Sequence, residues 1–272
     1  MSLRLESVGY RYAGALEPAL LDVDLALPDG AVVGVTGASE SGKSTLCLVA
    51  AGLAPRAIGG RIRGHVILDG QAIDGWPMHR LAAEVSIGFQ NPSTQLSGVT
   101  TTVFEEVAFG PMNLALPRGE IIDRTWEALA AVGLTELAER DPWRLSGGQQ
   151  QLVAIAGLLA MHPRHLVLDE PTAQLDPAGT QLVADALLRL AEAGASILIT
   201  EQKTDLLAAI CSTVAVLQAG RIVVSGAAAE VLTEGLAELG VSAPAGVRLR
   251  SAAREAGLGE DAQHRLAQAS AQ

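Results

Sequence analysis

The sequence predicts an α/β fold: a mostly parallel sheet with an antiparallel β layer ahead of it, a helical subdomain inserted in it and a small helical appendage after it. Three observations predict this. Residues 31–36 form an apolar run that turns through glycines into a helical pattern at 44–51. From His165 onward, short apolar runs alternate with helical patterns. The opening segments 3–8 and 21–27 read as strands, the second in strict period-two alternation.

Taken in order, the strand at 21–27 ends at the turn signal Pro28-Asp29-Gly30, so the first two strands are expected to form a half-buried antiparallel layer. A buried strand at 31–36 and the helix at 44–51 follow. A strand over 85–89 precedes residues 91–144, where the periodicity becomes mainly helical, with candidate helices at 103–109 and 120–132 separated by Pro111 and Pro117. A helix over 150–161 then leads to a strand at 165–169, a helix at 177–193, a strand at 196–200, a helix near 203–210 and a strand at 213–217. After Gly226 the chain turns Ala-rich, with Val231, Leu232, Leu236 and Leu239 at roughly helical spacing. The division predicted is 1–225, with its helical insert at about 91–145, and an accessory region at 226–272. The polar stretch from Gly257 is expected to fray.

A chain of 272 residues has ample material for one large domain and an appendage. Its net charge of -11 argues against nucleic acid as a partner, because phosphate-backbone binding needs clustered Lys and Arg. The start, Met1-Ser2-Leu3-Arg4-Leu5-Glu6, carries no apolar signal segment, which points to the cytoplasm. The nearly all-apolar run at 152–161 is too short to span a bilayer. Cys47 and Cys211 lack metal-ligand spacing and read as small buried hydrophobes. The histidines form no ligand pattern either, so each is expected at the surface or in a satisfied core position.

Three motifs carry chemistry. Gly37-Ala38-Ser39-Glu40-Ser41-Gly42-Lys43-Ser44 fits the G-x-x-x-x-G-K-[ST] phosphate loop, continued by Thr45. Its glycines let backbone amides curl around phosphate oxygens, Lys43 reaches the outer phosphates, and the Ser44 hydroxyl can ligate magnesium. The apolar run Leu166-Val167-Leu168 delivers Asp169 and Glu170 to the sheet's C-terminal edge, where open α/β folds place their ligands. There Asp169 would hold magnesium and Glu170 would polarise an attacking water, as phosphoryl transfer requires. The alternative for each is an N-capping carboxylate ahead of Pro171-Thr172. Leu145-Ser146-Gly147-Gly148-Gln149 opens the next helix, so Ser146 and the following amides make a second anion-binding helix start, or, taken alone, an ordinary Ser cap.

The three motifs together resemble those of ABC-type ATPases. The resemblance implies an ABC nucleotide-binding domain with a P-loop, RecA-like core and ATP with Mg2+ as its cofactors. It also implies a second ABC ATPase subunit, with ATP sandwiched between the phosphate loop of one and the Ser146-Gly147-Gly148-Gln149 loop of the other. Tyr12 then falls where the family stacks an aromatic on adenine, although a tyrosine before a turn also serves structure alone. Gln90, after the strand at 85–89, matches the glutamine that contacts magnesium or water and relays to the membrane partner; the alternative is a polar strand terminus. Ala173-Gln174-Leu175-Asp176 matches the loop that places Asp176 at the subunit interface, and Asp-Pro is equally a helix-start signal.

A narrower resemblance rests on Phe89-Gln90-Asn91-Pro92-Ser93-Thr94-Gln95-Leu96 and on the run from Phe104-Glu105-Glu106-Val107-Ala108-Phe109 to Pro117. These look like the ATPase subunits of energy-coupling-factor transporters, which import vitamins and transition-metal ions. That implies a peripheral protein at the cytoplasmic face of the cell membrane. Its partners would be a homodimer or paralogue mate, an integral membrane subunit and a separate substrate-binding membrane component. The rival is a soluble ABC ATPase of repair, translation or assembly, but the insert is too short for a repair-type coiled coil and the chain holds one set of motifs. Three positions depart from the family pattern. Glu40 replaces a glycine, Leu152 replaces an arginine, and Gln202 stands where the switch histidine is expected, no histidine lying between His165 and His264. ATP binding is expected, with slow hydrolysis.

Overall fold

The computed structural model describes residues 2–256. Its first sheet is antiparallel and holds β1 (Leu3–Arg11), β2 (Leu20–Leu27), β4 (Arg61–Leu68) and β5 (Gln71–Ala72), in the order β2, β1, β4, β5. The second holds β3 (Val32–Thr36), β6 (Val85–Gly88), β7 (His165–Asp169), β8 (Ser196–Thr200), β9 (Thr213–Gln218) and β10 (Arg221–Ala227). Its order is β10, β9, β3, β8, β7, β6, parallel from β9 to β6, with β10 antiparallel at the edge.

Both faces of this second sheet are buried, which is why its strands read as continuous apolar runs. Along β7, Leu166 and Leu168 enter one core and Val167 the other; along β8, Ile197 and Ile199 oppose Leu198. One core joins the sheet to α1 (Lys43–Ala50), α2 (Met78–Glu84) and the antiparallel layer through Leu46, Leu81, Leu5 and Leu20. The other joins it to α3 (Val103–Asn113), α4 (Arg118–Ala131), α5 (Gly147–Ala160), α6 (Pro177–Glu192) and α7 (Thr204–Ile210). Gly34 on β3 admits α7 at close range, since a Cβ there would lie 3.0 Å from Leu207 Cδ2 and 2.9 Å from Sγ of Cys211, just past the helix. Cys47 and Cys211 are free and buried, and burial pushes the Cys211 thiol up to about 12.

Several local expectations are corrected. β4 and β10 were not legible as strands: β4 mixes Arg61, Arg63 and a left-handed Gly64 into its alternation, and β10 is an edge strand with mostly exposed side chains. α3 runs through Pro111 instead of stopping before it. The preceding residue is Gly110, which lacks the Cβ that proline normally clashes with. α5 begins at Gly147, three residues ahead of the expected start at 150, because Ser146 and Gln149 cap each other. His165 is buried with neither ring nitrogen hydrogen-bonded, so it is not a satisfied core histidine. The tail from Gly257, including His264, lies outside the described residues.

After β10 the chain forms α8 (Ala228–Val231), a 3-10 turn at Glu234–Leu239 and α9 (Ala245–Glu255). This region packs on the start of α7: Thr204 Oγ1 donates to Ser242 O at 2.7 Å and Asp205 accepts from Ala245 N at 2.6 Å. Among the described residues no helix is long and apolar enough to cross a membrane.

Candidate functional site

The C-terminal ends of β3, β7 and β8 lie side by side, so the loops that follow Thr36, Asp169 and Thr200 meet at one edge of the sheet. After β3 the chain makes its phosphate-loop turn. A Cβ on Gly37 would sit 2.2 Å from Leu217 O and 2.6 Å from Ser41 Oγ, so no other residue fits there. Gly42 caps α1 at φ 109° and no side chain bonds the helix's first amides. An uncapped helix start with a glycine lead-in is a ready anion site, because the amides and the helix dipole point the same way.

Lys43, 5% exposed, donates from Nζ to Gly37 O at 2.9 Å and Ala38 O at 3.0 Å, and lies 3.3 Å from Glu170 Oε1. Glu170 sits just past β7 with a left-handed backbone, φ 45°, held by its amide on Thr200 O at 3.0 Å. Its carboxylate also accepts from Gln90 Nε2 at 3.1 Å and from Gln202 Nε2 at 3.1 and 3.3 Å. Donors from three separate segments thus converge on one carboxylate.

Asp169 is buried beside them. The Thr200 hydroxyl donates to its Oδ1 at 2.8 Å and the Ser44 hydroxyl also bonds it. Burial pushes this carboxyl above the usual range; the Ser44 and Thr200 hydrogen bonds oppose the rise, Glu170 adds to it and Lys43 opposes it. The Ser44 hydroxyl, the Asp169 carboxylate and the Gln90 amide make an all-oxygen donor set of the kind magnesium takes. Among the described residues no group of three or more His, Cys, Asp and Glu could hold a metal. A cation here would therefore draw its other ligands from a bound phosphate or water.

Gly42, Lys43, Ser44, Gln90, Glu170 and Gln202 line a cavity of about 650 Å³ that also touches Ser39, Glu40 and Thr45. Ala38 and Ser39 are exposed, Ser41 is buried beneath the turn, and Glu40 stands exposed at the rim with φ 63°. Tyr12 is half-buried, its hydroxyl 3.0 Å from Thr45 Oγ1 and its ring edge-on to Tyr10. A larger cavity of about 860 Å³ lies where β7 and β8 enter the sheet and contains none of these motifs.

The remaining expected residues lie elsewhere on this chain. Ser146 Oγ accepts from Gln149 N at 3.3 Å and Gln149 Oε1 accepts from Ser146 N at 3.1 Å. This capping box engages the amides of Ser146 and Gln149 and neither Gly147 nor Gly148. Asp176 caps α6 by accepting from Gly179 N at 2.7 Å. The two loops touch: a Cβ on Gly147 would lie 3.0 Å from Gln174 Oε1, and one on Gly148 3.2 Å from Gln174 O. Sequence reasoning missed Thr200, which bonds Asp169, and Glu201 and Lys203, which flank Gln202. The available signal was the polar run Thr200-Glu201-Gln202-Lys203 closing an apolar strand.

A family profile described as ABC transporter matches residues 20–173. A putative ABC transporter ATP-binding protein of Methanosarcina acetivorans is 42% identical over 246 residues, covering 89% of this chain and 40% of that protein. The chain thus spans about two fifths of that relative's length. The energy-coupling factor transporter ATP-binding protein EcfA of Methanosphaera stadtmanae is 38% identical over 234 residues, covering 85% of this chain and 81% of its own. The structure of cbiO1 from Clostridium perfringens, described as part of the ABC transporter complex cbiONQ, aligns with TM-score 0.74 at 33% identity. It covers 85% of this chain and 90% of its own.

Proposed function

Because the chain belongs to the ABC transporter family, as an ATP-binding protein, we propose that it binds and hydrolyses Mg-ATP to energise an energy-coupling-factor importer of vitamins or transition-metal ions. The observation that carries the reading is the convergence of Lys43, Gln90 and Gln202 on Glu170 at the mouth of the uncapped α1 start. Ser44 and Asp169, with Gln90, would hold magnesium, which would supply charge neutralisation at the phosphates.

On this reading, the amides from Gly37 to Thr45 bind the phosphates, with Ala38, Ser39, Glu40, Ser41 and Gly42 forming the turn, and Tyr12 stacks on the base. Lys43 exchanges loop carbonyls for the outer phosphates. Glu170 orients the attacking water, and Gln90 and Gln202 set the position of its carboxylate. Ser146, Gly147, Gly148, Gln149 and Asp176 serve the nucleotide of a partner subunit, which fits the fact that none of them lines this chain's own pocket and that Gly147 and Gly148 touch Gln174, two residues ahead of Asp176. Residues 1–225 act as the ATPase domain and 226–272 as the accessory region.

The chain would sit at the cytoplasmic face of the membrane with a second ATPase subunit, identical or paralogous. It would there drive an integral membrane subunit and a separate substrate-binding component. The relatives' names EcfA and cbiO1 support this. Exposed apolar side chains on the helical insert, Val99 at 74% and Met112 at 59%, support contact with another protein. The test is co-purification of the tagged chain from native membranes, with its partners and their bound solute identified. Recovery with membrane subunits carrying a vitamin or metal ion is expected, whereas recovery free of any membrane protein would contradict the reading.

A further inference from the structure

Gln202 lies between two residues that grip the same stretch of chain. On one side, Glu201, 1% exposed, accepts at Oε1 from Thr172 N at 2.9 Å and from Thr172 Oγ1 at 2.6 Å. Its carboxylate also accepts from the backbone N–H of Lys203. On the other side, Lys203 Nζ donates to Thr172 O at 2.7 Å and to Leu175 O at 3.2 Å. The amide, the carbonyl and the hydroxyl of Thr172 are therefore all taken by the two neighbours of Gln202.

We propose that Glu201 and Lys203 are positioning residues: they clasp residues 171–175 so that Glu170, Gln202 and Asp176 are carried as one unit. The unit is closed. Glu170, Pro171 and Thr172 are joined through the chain, Thr172 to Glu201 by two hydrogen bonds, Glu201 to Gln202 through the chain, and Gln202 back to Glu170 by its amide. Leu175, the last residue held, directly precedes Asp176. The turn is also fixed from below, Glu201 N donating to Val35 O on β3 at 3.0 Å.

A packing role alone would place an apolar side chain at so buried a position, because a buried carboxylate is costly unless its lone pairs are satisfied. Here they are satisfied, by the segment it would position, and charge-assisted bonds in a dry site are the strong ones. A shift at Gln174 and Leu175, which touch the 146–149 loop just ahead of Asp176, is thereby passed to the amide that holds Glu170.

The role assigned to the clasp in turnover rests on the proposed hydrolytic reading; the clasp itself is tested without nucleotide. The full chain is compared with Glu201→Gln, Glu201→Ala and Lys203→Met by hydrogen exchange in nucleotide-free protein, then by kcat and KM for ATP. Glu201→Gln keeps the Oε1 acceptor and should stay within about threefold of wild type in both. Glu201→Ala and Lys203→Met should each speed exchange about tenfold at 171–175 and at 201–203, and lower kcat about tenfold with little change in KM. If burial makes Glu201→Ala misfold, Lys203→Met, at an exposed position, carries the test.

Unchanged exchange at 171–175 in Lys203→Met would overturn the proposal, as would loosened segments with unaltered kcat in an active enzyme. Loosening of both segments in a chain that turns over no ATP would support the clasp and overturn the hydrolytic reading instead.

Discussion

Lys43 Nζ and Glu170 Oε1 lie 3.3 Å apart, pairing the cation of the phosphate loop with the carboxylate at the end of β7. Each is buried and each has other partners: loop carbonyls for Lys43, the Gln90 and Gln202 amides for Glu170. Removing one partner of such a pair leaves a buried charge under-compensated, so the pair ties the phosphate loop to the acid pair before any phosphate arrives.

Gln202 donates to Glu170 with a neutral amide that cannot become cationic. A hydrogen bond to a charged group is worth about 1.5 to 3 kcal/mol. Gln202→His should therefore raise steady-state ATP turnover on the order of tenfold to a hundredfold. Unchanged turnover in both homodimer and paralogue assembly would show that a side chain able to become cationic at position 202 contributes nothing to turnover.

Glu40 stands exposed at the rim of the cavity with φ 63°. Its charge would act on a triphosphate bound in the cavity through solvent, so the repulsion would be screened by salt. Glu40→Gly should tighten Mg-ATP binding at low ionic strength and leave it nearly unchanged at about 0.15 M, where the Debye length is near 8 Å. Calorimetric titration at the two salts checks this; an equal gain at both would exclude an electrostatic cause.

Burial holds the His165 imidazole below its ordinary pKa, outweighing the raising influence of Asp69 and Glu84. As pH falls through about 6.5, the unfolded chain takes up a proton there that the native site refuses. The unfolded state then binds more protons, so stability falls with pH across this window and levels off below the native value. His165→Leu, which gives up no hydrogen bond, should keep stability at pH 8 and show a shallower loss by pH 5.5 in urea unfolding. An identical slope in the variant would place the acid sensitivity elsewhere.

Much of this was legible in the sequence, for identifiable reasons. β3, β7 and β8 are buried on both faces and so read as unbroken apolar runs, and the glycines between β3 and α1, with Lys43 opening the helix, mark the turn by themselves. β4 and β10 were hidden because charged and small residues interrupt their period, and α3 passed Pro111 only because Gly110 precedes it. At the site, Asp169 and Glu170 followed from strand and motif. The Glu201 and Lys203 contacts to Thr172 depend on which loops the sheet order β3, β8, β7 sets side by side, which no local pattern records.

The most direct test of the central claim is titration of the full chain and of Lys43→Ala with ATP, each with and without magnesium. Saturable, magnesium-dependent binding by the wild type is expected. Loss of the ammonium should weaken it at least about tenfold, since a charge-assisted contact to phosphate is removed. Equal affinity in the two proteins, with both folded, would contradict the assignment of this cavity to the nucleotide.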